Sequence, residues 1–451
     1  MKIKFIVLVI CLVRIKQIYG QSPSALMKID STLNTMWKAE IENKITELET
    51  YYTPDAHIVE FDLKQNKMMP RHGLRWPIAG NLISWEFDLA ISSGDDDMIF
   101  QNGTVHLTYG YTQKRSVYSY FSNLLWLKQP GGKYKIAWDS SRFKDTFNYH
   151  YYDIIKDSTW ISHGSDSIFA IIYKPKANNI ENVPGVFCMQ GGGDAGIENY
   201  TYEAELFAHA GIASIVCDKS GSGKSKGKSS WVTQSFTQKI NEYISILDWF
   251  RKQPYIDSSS VGLHGPSEGG RLALAMLLAK PEKIKFVNAV SAPLETYKEN
   301  QLFAIDQLLQ SQGYPRSVIG HTVSLFDAYF ECIKSGAISS DLVKRIKKLR
   351  NDYPTLYLPP DATQLPRMPR PEDIDFSLGN DLRLCQKPVL FQYGDADSRV
   401  NVQKSIQQIP LNPNLNFLLY KNADHSINLP NGDTHKSYMP DKLRWVLSNS
   451  K

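Results

Sequence analysis

The stretch VGLHGPSEGGRLALAML, residues 261–277, sets Ser267 two residues after Gly265 and two before Gly269, with Pro266 and Glu268 as its immediate neighbours. An apolar run precedes it and a helical run follows. That is G-x-S-x-G in the strand-turn-helix context it requires, where small residues let strand and helix approach while the serine Oγ projects above a sheet. A serine hydroxyl attacks an acyl carbonyl only when a base takes its proton and an acid orients that base. PVLFQYGDADSRV supplies Asp397, three residues past Gly394 on a loop after an apolar run. Asp395, directly after the same run, is the alternative and is better placed to bond the turn. LNFLLYKNADHSI then places His425 on the loop after the next run. His435, the other histidine beyond Asp397, precedes the final helical segment and suits the role less. Acyl transfer through a covalent serine intermediate is the chemistry this set could perform.

Attack on an ester or amide makes a tetrahedral oxyanion, which needs two or more N–H donors. The residue after the nucleophile, Glu268, is expected to give one from its backbone. The loop after an earlier strand, FCMQGGGDAG, gives Gln190, Gly191, Gly192 and Gly193, of which Gly192 is the expected second donor. A competing motif lies between these segments. CDKSGSGKSKG, residues 217–227, contains G-x-G-K-S and suggests a phosphate loop, but such a loop needs its first glycine at position 218. That position is Asp218, whose carboxylate repels phosphate, and another glycine with a serine pair follows where a helix should begin.

Two differently patterned halves must carry these residues. Residues 24–50 read as helical, with Met36, Trp37, Ile41, Ile45 and Leu48 at three- and four-residue steps, and YYTPDAHIVEF is expected to break that helix at Pro54. Strand-like alternation with turns follows in GTVHLTYGYT, YFSNLLWLK and YKIAWDSS. Helices followed by antiparallel strands form an α+β pattern. The order resembles the cone-shaped, nuclear-transport-factor-like fold shared by ketosteroid isomerases, scytalone dehydratase and polyketide cyclases, over residues 24–145. Such a fold implies a pocket, which His57, Asp62, Arg71, His72 and His106 could line, although no motif assigns them chemistry. It also leaves open a homo-oligomer formed through this domain.

From residue 146 to 451 short apolar runs (IFAIIYKP, GVFCMQ, IASIVCD, VGLHG, KFVNAVS, PVLFQYG, LNFLLYKN) alternate with helical patterns such as QKINEYISILDWFRKQ. This predicts an α/β fold on a mainly parallel sheet. Residues 297–380 interrupt the alternation with helical stretches and a proline-rich passage, which predicts a cap over the strand ends. Taken with the elbow, residues 150–450 resemble the α/β-hydrolase superfamily, especially carboxylesterases and peptidase-like members with G-x-S-E-G-G. The resemblance implies a structural role for the 217–227 stretch, since those enzymes carry D-x-R-G-x-G-x-S-x-G there. Ser220 stands in place of the usual arginine, Gln190 in place of a frequent histidine, and Pro266 before the serine is uncommon.

The N-terminus begins MKIK, runs through apolar residues Phe5 to Val13 and reaches Gly20, the layout of an export signal over residues 1–20 that is too short to span a bilayer. Its removal takes Lys2, Lys4, Arg14 and Lys16 with it and brings the formal charge from +5 to +1. A near-neutral chain has no electrostatic case for nucleic acid or an anionic membrane. Sequons at Asn102 and Asn199 fit a secreted glycoprotein. Cys188, Cys217, Cys332 and Cys385 lie singly, without metal or redox spacing, and read as core thiols. The sequence therefore predicts a secreted serine hydrolase that needs no cofactor and no metal. Its substrate is a small-molecule or peptide acyl group, a carboxylic ester first and a peptide, amide or acyl transfer second. A ligand-binding protein that kept the scaffold without the activity is the remaining alternative.

Overall fold

The computed structural model describes residues 22–42, 44–62, 67–70, 81–111, 113–176, 181–194, 196–360 and 369–451. Residues 1–20, Arg71, His72 and the side chains of Asp62 and Asn199 lie outside that description. The chain divides into two compact units, Met1–Tyr149 and His150–Lys451.

In the first unit, helices α1 (Pro23–Ile41) and α2 (Ile45–Glu49) precede six strands: β1 (Tyr52–Asp62), β2 (Lys67–Pro70), β3 (Asn81–Gly94), β4 (Met98–Tyr111), β5 (Lys114–Lys128) and β6 (Tyr134–His150). Ser22 caps α1 by accepting from the Ala25 amide, and Pro23 fills the first turn, where a missing N–H costs nothing. Ala25, Ile29, Leu33 and Met36 recur along one face of α1 and are buried. The strands form one sheet in the order β2-β1-β6-β5-β4-β3, with β1 and β6 parallel. Pro54 does not end the helix. It sits inside β1, and the chain has already left α2 at Glu49. Of the polar residues expected near a pocket, His57 is exposed, while His106 is buried with its ring nitrogen 2.8 Å from Ser119 Oγ. Asn102 lies within β4, its amide donating to Asn123 Oδ1 at 2.6 Å.

The second unit has eight strands: β7 (Ile154–His163), β8 (Asp166–Pro175), β9 (Val183–Cys188), β10 (Ala213–Cys217), β11 (Ile256–Pro266), β12 (Val287–Val290), β13 (Val389–Gly394) and β14 (Leu415–Tyr420). Their order is β14-β13-β12-β11-β9-β10-β8-β7. β8 runs antiparallel to both of its neighbours, and every pair from β10 to β14 is parallel. Residues of β10, β12 and β13 are buried throughout, which is why these strands read as continuous apolar runs: helices cover both faces of a parallel sheet. The helices are α3 (Thr201–His209), α4 (Phe236–Arg251), α5 (Glu268–Ala279), α6 (Tyr297–Ser311), α7 (Arg316–Ser335), α8 (Ser340–Asp352), α9 (Val402–Gln408) and α10 (Tyr438–Asn449). This strand order, with its antiparallel second strand, is the α/β-hydrolase fold. Helices α6 to α8 are inserted between β12 and β13 and build a core of their own around Leu309, Ile319, Leu325 and Ile346. Cys188, Cys217, Cys332 and Cys385 are unpaired thiols, and among the described residues no helix is long and apolar enough to cross a membrane.

Candidate active site

Ser267 sits between the end of β11 and the first turn of α5 with φ 53° and ψ −120°. A non-glycine residue at positive φ is strained, and such strain persists only where the surroundings hold it. Here the Ser267 amide donates to Val290 O at 2.7 Å and its carbonyl accepts from the Arg271 amide at 3.1 Å. The flanking glycines have a steric reason. A Cβ on Gly265 would lie 2.6 Å from the Gly269 carbonyl carbon, and one on Gly269 would lie 2.5 Å from Gln190 O. Strand, helix and the Gln190 loop thus meet at backbone distance around the serine.

Asp397 and His425 come from the loops after β13 and β14, at the same ends of neighbouring parallel strands, where open α/β sheets place their sites. His425 Nδ1 lies 2.8 Å from Asp397 Oδ2. The other carboxylate oxygen, Oδ1, accepts from the amides of Arg399 at 2.7 Å and Val400 at 2.9 Å. Asp395 takes the structural part instead, accepting from the Asn422 amide and pairing with Lys421 at 3.1 Å. His435 is buried against the Tyr420 ring at 4.9 Å. Ser267 and His425 line one cavity of about 640 Å³, together with Gly191, Gly192, Gly193 and Glu268. Ser267 Oγ makes no hydrogen bond among the described residues, and the residue lines the cavity.

Glu268 opens α5, and amides in a first helical turn have no carbonyl four residues back to bond. Its side chain forms a largely buried pair with Lys239 at 3.1 Å and accepts from Trp231 Nε1 at 3.0 Å. Burial pushes this carboxyl up, but Lys239 and Lys219 outweigh it and hold it below the usual carboxylate range. At Gly192 a Cβ would meet nothing closer than Glu268 Cβ at 3.9 Å, so the two residues expected to give donors are neighbours on the cavity wall. Gly191 faces the Tyr200 hydroxyl instead, 3.3 Å from its own Cβ position.

Sequence reasoning missed several residues around this cavity. Glu203 on α3 bonds His264 Nε2 at 2.6 Å, Tyr438 OH at 2.9 Å and the ammonium of the fully buried Lys442 on α10. Burial raises its carboxyl, while His264 and Lys442 together hold it well below the usual range. Lys442 lies 239 positions along the chain, so no local pattern could have paired them. Arg271 is buried with Nε and Nη2 donating to the carbonyls of Pro293 and Glu295, and burial pushes it down to about 10. Arg399 lines the cavity and makes no ion pair among the described residues. The 217–227 stretch is a turn pinned by Asp218, which accepts from the Ile197 amide at 2.8 Å and the Lys224 amide at 2.7 Å. No helix begins directly after Lys224 and Ser225, where a phosphate loop needs one.

Residues 163–325 match the family model of the X-Pro dipeptidyl-peptidases of family S15. An uncharacterized 31.7 kDa protein of the Escherichia coli traX-finO intergenic region is 31% identical over 103 residues, which is 22% of this chain and 34% of that one, so the chain spans about a third of this curated relative's length. Among solved structures, Est1E of Butyrivibrio proteoclasticus with ferulic acid bound is 16% identical at a TM-score of 0.44, over 64% of this chain and 98% of its own. Proline iminopeptidase of Mycobacterium smegmatis is 15% identical at 0.42, over 65% and 99%. The fold and the match over residues 163–325 support a hydrolase of the α/β serine type.

Proposed function

We propose that the chain cleaves a carboxylic ester through an acyl-enzyme on Ser267. Ser267 Oγ attacks the acyl carbonyl while His425 Nε2 takes its proton, and Asp397 holds the imidazole with Nδ1–H toward the carboxylate and stabilises the imidazolium that forms. The backbone N–H groups of Gly192 and Glu268 receive the oxyanion. His425 then gives the proton to the leaving alkoxide, and a water deprotonated by the same imidazole releases the acid. The observation that carries this reading is the 2.8 Å contact of His425 with an Asp397 whose second oxygen is already bonded to two amides, at the edge of the cavity that Ser267 opens into.

The charge balance of the cavity favours an ester over cleavage next to a free peptide amino terminus. An α-ammonium needs an unpaired carboxylate, and the two on the cavity wall among the described residues, Glu203 and Glu268, are already engaged by Lys442 and Lys239. Arg399 adds a cation on the same wall. The test compares matched p-nitrophenyl esters and p-nitroanilides on wild type and Ser267→Ala. Ester turnover that vanishes in the variant, with the anilides slower, supports the reading. Faster anilide turnover moves the substrate to the amide class.

A further inference from the structure

The stretch that mimicked a phosphate loop holds a cation the catalytic scheme has not used. Lys219 is fully buried, and its Nζ donates to the carbonyl of Gly191 and, at 2.7 Å, to that of Gly193. Its ammonium lies 5.0 Å from the centre of the Trp231 ring, the ring whose Nε1 bonds Glu268. Ser220 is committed elsewhere, accepting from Gln234 Nε2 at 2.8 Å.

We propose that Lys219 is a positioning residue for acyl transfer, tying the carbonyls on either side of Gly192 to one cation and so fixing the direction of the Gly192 N–H. The reason is the peptide plane. In a trans peptide the Gly191 C=O and the Gly192 N–H point in opposite directions, so anchoring that carbonyl on Lys219 turns the N–H away from it. Three consecutive glycines have the largest backbone freedom of any loop, and without an anchor the donor would sample many orientations. Charge-assisted bonds are roughly twice as strong as neutral ones, so the clamp is tightest while the amine is protonated. The proposal rests on the serine hydrolase reading and adds to it the group that preorganises one oxyanion donor.

The groups facing the ammonium set when that proton leaves. Burial pushes Lys219 down to about 8, with Lys239 acting in the same direction and Glu268, Cys217 and Asp194 opposing. The clamp therefore gains charge as the pH falls below about 8 and loses it as the pH rises above that value.

The test measures p-nitrophenyl butyrate hydrolysis from pH 6 to 10 for wild type, Lys219→Met, Lys219→Arg and Ser267→Ala, with thermal melting of each. Lys219→Met is expected to lose about 10²-fold in kcat with KM changed by no more than about threefold, the pattern of a misplaced transition-state donor. Wild-type kcat is expected to fall above pH 8. Lys219→Arg should recover part of kcat and keep it to higher pH, because a guanidinium stays charged there. Unchanged kcat in a folded Lys219→Met overturns the proposal, and so does the same alkaline fall in Lys219→Arg. The arginine profile decides alone if the methionine variant does not fold. A wild type no faster than Ser267→Ala overturns the hydrolase reading itself and the clamp with it.

Discussion

Asp397 Oδ2 and His425 Nδ1 lie 2.8 Å apart although 28 positions separate them, and the loops that carry them leave two adjacent parallel strands. The Arg399 and Val400 amides hold the carboxylate from the other side, so its orientation is set before any substrate arrives. Asp397→Asn keeps the shape but presents an amide to the imidazole and favours the wrong tautomer. The expected result is a loss in kcat of about 10⁴-fold with little change in KM, read from steady-state ester hydrolysis.

The glycines around the elbow divide into two kinds. Gly269→Ala forces a Cβ to 2.5 Å from Gln190 O, and neither backbone can yield cheaply. It should lower stability by about 1–3 kcal/mol, as overpacking does, and lower activity as well. Gly192→Ala meets nothing closer than 3.9 Å and should stay within about 0.5 kcal/mol of wild type. Denaturant midpoints of the two variants, compared at one pH, separate these outcomes.

Glu203 and Lys442 make a buried pair whose loss leaves one charge stranded. Glu203→Gln should cost about 3 kcal/mol, the lower end for such pairs because the glutamate is partly open to the cavity, and the double variant Glu203→Gln with Lys442→Met should recover much of it. The folded carboxyl is held below its unfolded value, so its contribution is fully present above the ordinary carboxylate range and is lost as the pH falls through the folded value. Stability of Glu203→Gln should therefore fall less steeply with acid than that of wild type, measured by urea unfolding at pH 7 and pH 4.

The paired state of Glu203 and Glu268 predicts a preference among substrates. An ester of N-acetyl-alanine should have a higher kcat/KM than the same ester of alanine, because the free ammonium finds no open carboxylate on the wall and meets Arg399. Competition between the two esters in one reaction reads the ratio directly. A preference for the free amine would point to peptide amino termini.

Much of the proposed site was legible because the chemistry assigned to it demands local form. The serine must stand between small residues on a strand-to-helix turn, the acid and base must follow strands, and the donor loop must be glycine-rich. Each requirement leaves a short signature, at Gly265 to Gly269, Gly394 to Asp397, Tyr420 to His425 and Gln190 to Gly193. The buried runs of the sheet were equally plain, since covering both faces removes the polar alternation. What escaped was non-local. Nothing near Glu203 announces Lys442, and Lys219 is indistinguishable in sequence from a solvated lysine until the fold places it against Gly191 and Gly193. The break at Pro54 was misplaced for another reason: Pro54 falls in the register shift between Tyr52 and His57, and proline is tolerated at a bulge as it is after a helix, so the residue could not say which element it belonged to.

Covalent trapping of the nucleophile tests the central claim most directly. Folded wild type treated with a fluorophosphonate should gain one adduct by intact mass, mapped by peptide fragmentation to Ser267, while Ser267→Ala gains none. An adduct on another serine, or equal labelling of the variant, would contradict the assignment of Ser267 as the nucleophile.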